Sequence, residues 1–328
     1  MNYELKQTIL CLDEISAGYD DGTKNPKPIL KGINMIEKDV VRPGFITGQT
    51  IAVVGRSGRG KSTLFKVLTG LMKPLSGRVL ITNSKEGEPE SAKEVGEGDV
   101  GFVDQKYTLF RHKTVNQILM YALKNTKLTP EEKNKKIEEQ LDKWSMTQHK
   151  DKYPCELSGG QRQRTAVIEQ LLTSKHFMVF DEPFSGLDVG NIESVKDAFN
   201  IILSSDELNT IIFSTHDIRL AVELADVVYV IGYPEDLQKE IETKVSELND
   251  LILKNNDLIN DPSTNKKTKK SLRSTNDSNI NKITEERSKL YSTIVHKYDL
   301  KEMGIAWTKF GMEHIELVDK IKTAMLNS

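Results

Sequence analysis

The residues best suited to chemistry form a glycine-rich turn that is followed by a lysine and two hydroxyl side chains. In residues 51–63, IAVVGRSGRGKST, the apolar run that ends at Val54 predicts a buried strand. The glycines allow a tight turn whose backbone N–H groups point inward and can bind an anion. Lys61 adds a positive charge for phosphates, and Ser62 offers a hydroxyl to Mg²⁺. The predicted phosphate loop consists of Gly55, Arg56, Ser57, Gly58, Arg59, Gly60, Lys61, Ser62 and Thr63.

Polar side chains also follow three later apolar runs that predict strands. Gln105 follows residues 100–103, Asp181 and Glu182 follow residues 177–180, and His216 follows residues 210–213. In an open α/β sheet, ligands bind at the carboxyl ends of the strands. Carboxylates beside a phosphate site can bind Mg²⁺ and orient water. A solvated strand end is the alternative for the acidic pair, and a lone histidine is more often structural.

The elements that must position these residues alternate between strands and helices, with one helical interruption. Leucines at helical spacing after Ser62 predict that the phosphate loop opens a helix whose positive end faces the anion. Thr129, Pro130 and Glu132 predict a capping box at the start of a later helix. We therefore expect a helical subdomain at about residues 108–160 within a core domain of residues 1–234.

The remainder of the chain changes in character. Residues 235–254 predict an amphipathic helix, and residues 255–282 are rich in Asn, Ser and Lys, which favours a flexible linker. Basic residues between 266 and 273 are open to two interpretations, solvated linker charge or contact with phosphates or anionic lipid. Residues 283–328 regain apolar residues and predict an ordered C-terminal extension with a regulatory or docking role.

Composition excludes some classes of protein. The formal net charge is −2, so no overall positive field favours binding to nucleic acid or an anionic membrane. No apolar run of membrane-spanning length and no signal-peptide pattern occurs, which predicts a cytoplasmic chain. Two cysteines without a His/Cys cluster predict reduced thiols and no metal site. Tyr19, in a polar turn, could be a partly buried anchor or an exposed ring that stacks on a base.

Taken in order, GRSGRGKST, Gln105, LSGGQRQR, MVFDEP, SGLD and His216 resemble the motif set of ATP-binding-cassette ATPases, the nucleotide-binding subunits of ABC transporters. The resemblance covers about residues 8–231. It implies an α/β P-loop NTPase fold with a mixed β-sheet core, an inserted helical subdomain and a C-terminal extension. Kinases and GTPases share the phosphate loop alone, and the guanine-selecting NKxD motif does not occur in this sequence.

The resemblance also implies a role for each matching residue, with ATP and Mg²⁺ as the ligands. Lys61 and the loop backbone would hold phosphates, and Tyr19 would stack on adenine. Mg²⁺ or its waters would be bound by Ser62, Gln105 and Asp181. Glu182 would polarise the attacking water, and His216 would contact the γ-phosphate. The signature residues, which close over ATP bound to the opposite subunit, would be Ser158, Gly159, Gly160 and Gln161.

The implied partners are a second ABC ATPase subunit, in a homodimer or heterodimer, and integral membrane permease subunits that hold the chain at the inner face of the cell membrane. A substrate-binding protein could join them, and no nucleic acid is expected. The pattern around LSGGQRQR favours a bacterial importer, although exporters share much of it. The alternative is a soluble ABC-type ATPase of DNA repair, chromosome handling or translation. The short spacing between Ser62 and Leu157, without sustained heptads or cysteine ligands, disfavours that alternative.

Two departures from the family pattern stand out. Ile168 and Glu169 occupy positions where an Ala-Arg pair is common, and the short glycine hairpin expected after Gly232 is missing.

Overall fold

The fold is built on two β-sheets, as seen in a computed structural model. The structure describes residues 3–19, 22, 26–43, 47–82, 92–174, 176–187 and 189–328. Its strands are β1 (Glu4–Ala17), β2 (Leu30–Val41), β3 (Gln49–Val54), β4 (Ser76–Ile81), β5 (Lys93–Glu94), β6 (Val100–Val103), β7 (Phe177–Phe180), β8 (Thr210–Thr215), β9 (Val227–Gly232) and β10 (Thr293–Asp299). Its α-helices are α1 (Lys61–Leu68), α2 (Val115–Ala122), α3 (Pro130–Lys143), α4 (Gly159–Thr173), α5 (Val189–Leu203), α6 (Ile218–Leu224), α7 (Glu235–Asn260), α8 (Lys266–Arg287) and α9 (Met312–Leu326).

The larger sheet contains six strands in the order β10-β9-β3-β8-β7-β6. Five of them, from β9 to β6, pair in parallel, while β10 is antiparallel to β9. The four strands of the smaller sheet, in the order β2-β1-β4-β5, are antiparallel. The strands predicted at residues 51–54, 100–103, 177–180 and 210–213 are confirmed, and so is the predicted mixed sheet.

Each face of the larger sheet packs into its own hydrophobic core. Alternate residues of a strand point to opposite faces, so Ile51 and Val53 enter one core while Ala52 and Val54 enter the other. The first core lies against α1 and the antiparallel sheet, and the second lies against α2, α4, α5, α6 and α9. Burial on both faces explains why these strands are continuous apolar runs in the sequence.

Between β6 and β7 the chain is helical, as predicted from its periodicity. The α3 helix starts with the predicted capping box, in which Thr129 and Glu132 bond reciprocally to each other's backbone N–H groups. Its buried face carries Ile137 and Leu141. Two short 3₁₀ turns, Thr147–His149 and Pro154–Glu156, then lead to α4.

The prediction of a flexible linker over residues 255–282 is wrong, because α7 and α8 form an antiparallel helical hairpin. The buried side chains of α8, Asn276 and Asn279, are polar, whereas those of α7, Ile241 and Val245, are apolar. Asn276 accepts a hydrogen bond from Asn255 at 2.8 Å and donates one to Asn256 at 2.9 Å. Asn265 caps the start of α8, and Glu235 pairs with Lys239 one helical turn away. The polar side chains whose abundance predicts disorder include asparagines that form hydrogen bonds between the two helices.

Residues beyond the hairpin return to the core, so the boundary predicted at residue 234 does not separate two structural units. Strand β10 pairs with β9 from Thr293 opposite Gly232 to Asp299 opposite Val227. Helix α9 buries Leu317, Val318 and Ile321 in the same core as α6. The hairpin is therefore an insertion between two neighbouring strands of one sheet.

Candidate nucleotide-binding site

The register of the parallel strands places the predicted polar residues at one edge of the larger sheet. Val103 is level with Phe180, and Phe180 is level with Phe213. Val54, the last residue of β3, is level with Thr215. The residues that follow these strands therefore emerge side by side, which is where open α/β sheets bind ligands.

The phosphate loop connects β3 to α1 at this edge. Gly60 is the N-cap residue of α1, has φ 86°, and supplies no side-chain hydrogen bond to the first turn. The first N–H groups of α1 are therefore left for another acceptor, and the positive end of the helix favours an anion there. Gly55 has a different role, because a Cβ at this position would lie 2.5 Å from the Ile231 carbonyl oxygen.

A cavity of about 230 Å³ lies in front of the loop. It is lined by Ile29, Ser57, Gly58, Gly60, Lys61, Ser62, Thr63 and Glu182. The structure thus brings Glu182 to the phosphate loop, although the two are far apart in the sequence. Ile29, from the residues just before β2, supplies an apolar wall that the sequence did not predict.

Lys61 is a buried cation on the floor of this site. Its Nζ donates a hydrogen bond to the Gly55 carbonyl oxygen at 2.9 Å and lies 3.6 Å from Glu182 Oε1. Burial lowers the pKa of Lys61, and the nearby Glu182 carboxylate opposes that shift. Contacts within the protein therefore position the Lys61 side chain.

Glu182 lies between Lys61 and His216. The His216 Nε2 atom is 2.6 Å from Glu182 Oε1. Glu182 also has a φ of 51°, in the left-handed region that non-glycine residues rarely occupy. Such strained backbone is concentrated at functional sites. Of the four predicted catalytic residues, Lys61, Glu182 and His216 therefore form one cluster, whereas Gln105 is not among the residues that line the cavity.

Ser214, to which the sequence assigned no role, organises the acidic pair. Its hydroxyl donates to Asp181 Oδ1 at 2.8 Å and accepts from the Glu182 backbone N–H at 2.8 Å. Ser214 is fully buried at the end of β8, two residues before His216. Its position in the polar strand end was a signal that could have identified it.

The oxygen groups at this edge have the chemistry that Mg²⁺ prefers. Ser62 lines the cavity, and Asp181 is a buried carboxylate at the end of β7. Within the described residues, no group of three or more acidic, His or Cys side chains could hold a metal by itself. Mg²⁺ commonly uses one or two protein ligands together with waters and substrate phosphates. The donor set fits that arrangement.

Tyr19 lies beside α1 with half of its surface exposed. Lys66 Nζ donates to the Tyr19 hydroxyl at 3.2 Å, and its charge also lies 5.4 Å from the ring centroid. The hydrogen bond from Lys66 lowers the pKa of Tyr19. Half of the Tyr19 surface is accessible, and the stacking of its ring on a base stays a prediction.

Other predicted site residues lie outside the cavity lining in the described part of the chain. Gln105 is exposed in the turn after β6. Ser158 caps α4 through a capping box with Gln161, and Gly159 and Gly160 have open space around them. The signature segment is therefore presented on the surface at the start of a helix. Asp188, the last residue of SGLD, lies outside the described residues.

The two arginines of the phosphate loop contact a different part of the protein. The Arg59 guanidinium lies 3.5 Å from the centroid of the Tyr233 ring, and its Nε donates to the Ser328 carbonyl oxygen at 3.3 Å. Arg56 and Arg59 both line a second cavity, between the loop and the α7–α8 hairpin. Neither arginine is among the described residues that line the cavity in front of the loop, and their role in binding phosphate stays a prediction.

Comparison with known proteins agrees with this geometry. Residues 41–185 match the family model described as ABC transporter. A probable sulfate/thiosulfate import ATP-binding protein CysA from Chlorella vulgaris is 35% identical over 184 residues, which are 56% of this chain and 76% of that protein. The chain belongs to the ATP-binding proteins of ABC transporters. The motifs that carried the resemblance in the sequence therefore identified the family correctly.

Other ABC proteins show the extent of the similarity. The sulfate/thiosulfate import ATP-binding protein CysA of Synechococcus elongatus is 37% identical over 188 residues, which are 57% of this chain and 53% of that protein. The chain thus spans about half the length of this relative. The structure of cbiO1 from Clostridium perfringens, part of the ABC transporter complex cbiONQ, matches with a TM-score of 0.56 and 30% identity over 69% of this chain and 85% of that one. The predicted ABC ATPase fold is confirmed.

Proposed function

We propose that this ABC protein is an ATP-hydrolysing subunit that powers a membrane importer. The observation that carries the proposal is the cluster at the mouth of the phosphate cavity, where Glu182 contacts both Lys61 and His216. Phosphoryl transfer to water requires charge neutralisation, positioning and an oriented nucleophile, with little covalent chemistry. A cationic loop with a carboxylate at its rim supplies these requirements.

Each residue has a distinct part in the proposed reaction. Lys61 and the N–H groups that begin α1 bind the β- and γ-phosphates, and Tyr19 stacks on the adenine ring. Glu182 orients the attacking water and accepts its proton, while His216 positions Glu182 and contacts the γ-phosphate. Ser62, Asp181 and Gln105 hold Mg²⁺ or its waters, and the ion supplies charge neutralisation at the phosphates.

The exposed signature segment supports a site shared by two chains. Ser158 and the N-terminus of α4 offer hydroxyl and backbone donors on the surface, outside the cavity that contains Lys61. A second ATPase subunit, identical or different, would place its own signature over ATP bound here. ATP would then stabilise the pair, and hydrolysis would release it.

The relatives suggest the physiological setting. CysA proteins are named as import ATP-binding proteins for sulfate or thiosulfate, and cbiO1 is part of an ABC transporter complex. We infer that this chain also works with membrane permease subunits, at the inner face of the membrane, and that a substrate-binding protein delivers the cargo. None of the described helices is both long enough and apolar enough to cross a membrane. Co-purification with an integral membrane partner from detergent-solubilised membranes tests the assignment, and a complex bound to nucleic acid instead would contradict it.

Substitution of Glu182 tests the chemistry. Glu182→Gln removes the proton acceptor but keeps the shape, so we expect ATP binding to persist and turnover to fall by roughly 10²–10⁴-fold. A nucleotide-dependent dimer should accumulate and be visible by size-exclusion chromatography. Glu193→Gln is the matched control, because Glu193 is an exposed carboxylate on α5. Turnover by Glu182→Gln at the wild-type rate would refute the role of Glu182.

A further inference from the structure

A second cavity, of about 640 Å³, lies between the phosphate loop and the α7–α8 hairpin. It is lined by Arg56 and Arg59 of the loop, by residues of α7 and by Arg287 at the end of α8. Its volume is in the range of small-molecule sites, which is about 300–1,000 Å³. The hairpin is the insertion that replaces a short glycine turn, so this cavity is separate from the nucleotide site proposed above.

The lining of this cavity has an excess of positive charge. Three guanidinium groups contribute to it, whereas Glu242 is the acidic residue among its described lining residues. Glu242 is already an acceptor for the Gln238 side chain at 2.8 Å. Among the ion pairs formed between described residues, none involves Arg56, Arg59 or Arg287. Within the described part of the chain, the three guanidinium groups of this cavity therefore form no ion pair with a carboxylate.

One of these donors is held rigidly. Arg59 is stacked on Tyr233 and bonded through Nε to the Ser328 carbonyl oxygen. An arginine fixed in this way loses little side-chain entropy when it binds an anion. Guanidinium groups match the geometry of phosphate oxygens and bind them with paired hydrogen bonds.

The α7 residues of the lining indicate an organic body attached to the anion. Ile241 and Val245 of α7 are buried and line the cavity together with Leu290. The Gln238 Oε1 atom, also in the lining, is buried and finds no hydrogen-bond partner among the described residues. An unpartnered buried acceptor is costly, and a hydroxyl group of a ligand would satisfy it.

We propose that this cavity binds an organic phosphate monoester and that its occupancy regulates the phosphate loop. The phosphate lies among the three arginines, and the body of the ester covers the apolar residues of α7. Because Arg56 and Arg59 belong to the loop that also holds ATP, a bound ester neutralises positive charge next to the ATP phosphates. The ester and ATP therefore weaken each other's binding, by equal factors. This coupling rests on the proposed function, whereas ester binding does not.

Calorimetric titration of the full chain, without ATP, tests the binding. The probes are glucose 6-phosphate, phenyl phosphate and inorganic phosphate. At least one ester should bind with one site per chain and more tightly than inorganic phosphate. Arg287→Glu should weaken that binding more than tenfold, because it replaces a hydrogen-bond donor to the phosphate with a negative charge that repels it. The matched control is Arg273→Glu, an exposed arginine elsewhere on α8, which should change affinity less than twofold.

Three results would overturn the proposal. The first is that neither ester binds at millimolar concentration. The second is that Arg273→Glu weakens binding as much as Arg287→Glu does. The third is that inorganic phosphate binds as tightly as the esters, which would mark an adventitious ion only. The coupling has its own measurement, in which a saturating ester should lower ATP affinity by roughly fivefold or more in wild type but not in Arg287→Glu. Ester binding without ATP binding would contradict the proposed function alone, and unchanged ATP affinity at a saturated ester site would refute the regulation.

Discussion

The nucleotide-binding edge and the α7–α8 hairpin both contain polar residues, but those residues are positioned in opposite ways. At the edge, each polar side chain follows a strand buried on both faces, so the backbone register of the sheet decides which side chains meet. In the hairpin, the buried Asn276 is positioned by hydrogen bonds to Asn255 and Asn256 of the other helix. The place of a polar side chain can therefore be predicted reliably from the sequence only where buried apolar strands fix its position.

The two regions should therefore respond differently to substitution: changes at the nucleotide-binding edge affect the reacting groups, and changes in the hairpin affect its stability. Ser214 and Asp181 are held within a core that also carries the strands, so a small change there alters the reacting groups. On α7, Ile241 and Val245 are buried near the base of the hairpin, but among the described residues neither belongs to the two hydrophobic cores. Damage to the hairpin should thus affect local stability first. Four predictions can break or sharpen this contrast.

The largest effect is expected from Ser214→Ala at the nucleotide-binding edge. The substitution removes the hydroxyl that bonds both Asp181 and the Glu182 backbone, so turnover should fall by roughly 10–100-fold. ATP hydrolysis measured across a range of Mg²⁺ concentrations checks this result. Ser204→Ala, which alters an exposed serine after α5, should hydrolyse ATP normally. If the turnover rate of Ser214→Ala stays within about twofold of that of wild type, the nucleotide-binding edge does not depend on the two hydrogen bonds of the Ser214 hydroxyl.

The next effect concerns the hairpin. Asn276→Ala leaves the Asn255 and Asn256 side chains without their partner, which should cost about 1–3 kcal/mol of local unfolding free energy. Hydrogen exchange of α7 and α8 measures that loss. Asn281→Ala is the control, because Asn281 is exposed on α8. Equal protection in both variants would mean that the asparagine network does not hold the hairpin together.

Glu169 of α4 provides a test of a half-buried carboxyl group. Burial raises its pKa to about 7 from 4.5. Between these values the unfolded state releases its proton first, so stability falls as pH rises and the cost is complete above pH 7. Glu169→Gln should therefore be more stable than wild type at pH 8, by on the order of 1–3 kcal/mol.

Urea unfolding at two pH values measures the effect of Glu169→Gln. The stability difference from wild type should vanish below pH 4, where the carboxyl is protonated in both states. A difference of the same size at both pH values would show that the charge of Glu169 is not its cause.

The smallest effect is expected at Tyr19. Loss of the ring in Tyr19→Ala should weaken ATP binding by about 0.5–1.5 kcal/mol, whereas Tyr19→Phe keeps the stacking surface and should bind ATP nearly as well as wild type. Equilibrium binding of ATP distinguishes the two variants. Equal losses in both would assign the effect to the hydroxyl and its bond with Lys66.

The sequence by itself determined the family, the phosphate loop and the strands that carry the polar ends. These features are local, because a glycine turn, a capping box or an apolar run is encoded within about ten neighbouring residues. The family motifs also occur in this sequence in the order that the family shows. The predicted loop at residues 55–63 and the capping box at Thr129 correspond directly to what the structure shows.

Only the tertiary structure decided which distant residues meet. Ser214 bridges Asp181 and Glu182, Arg59 turns towards Tyr233, and β10 completes a sheet that begins more than two hundred residues earlier. Residues 255–282 are largely helical, and Asn276 of α8 hydrogen bonds to Asn255 and Asn256 of α7, contacts that composition alone does not reveal. Such contacts depend on packing between segments far apart in the chain, and local propensity contains no information about them.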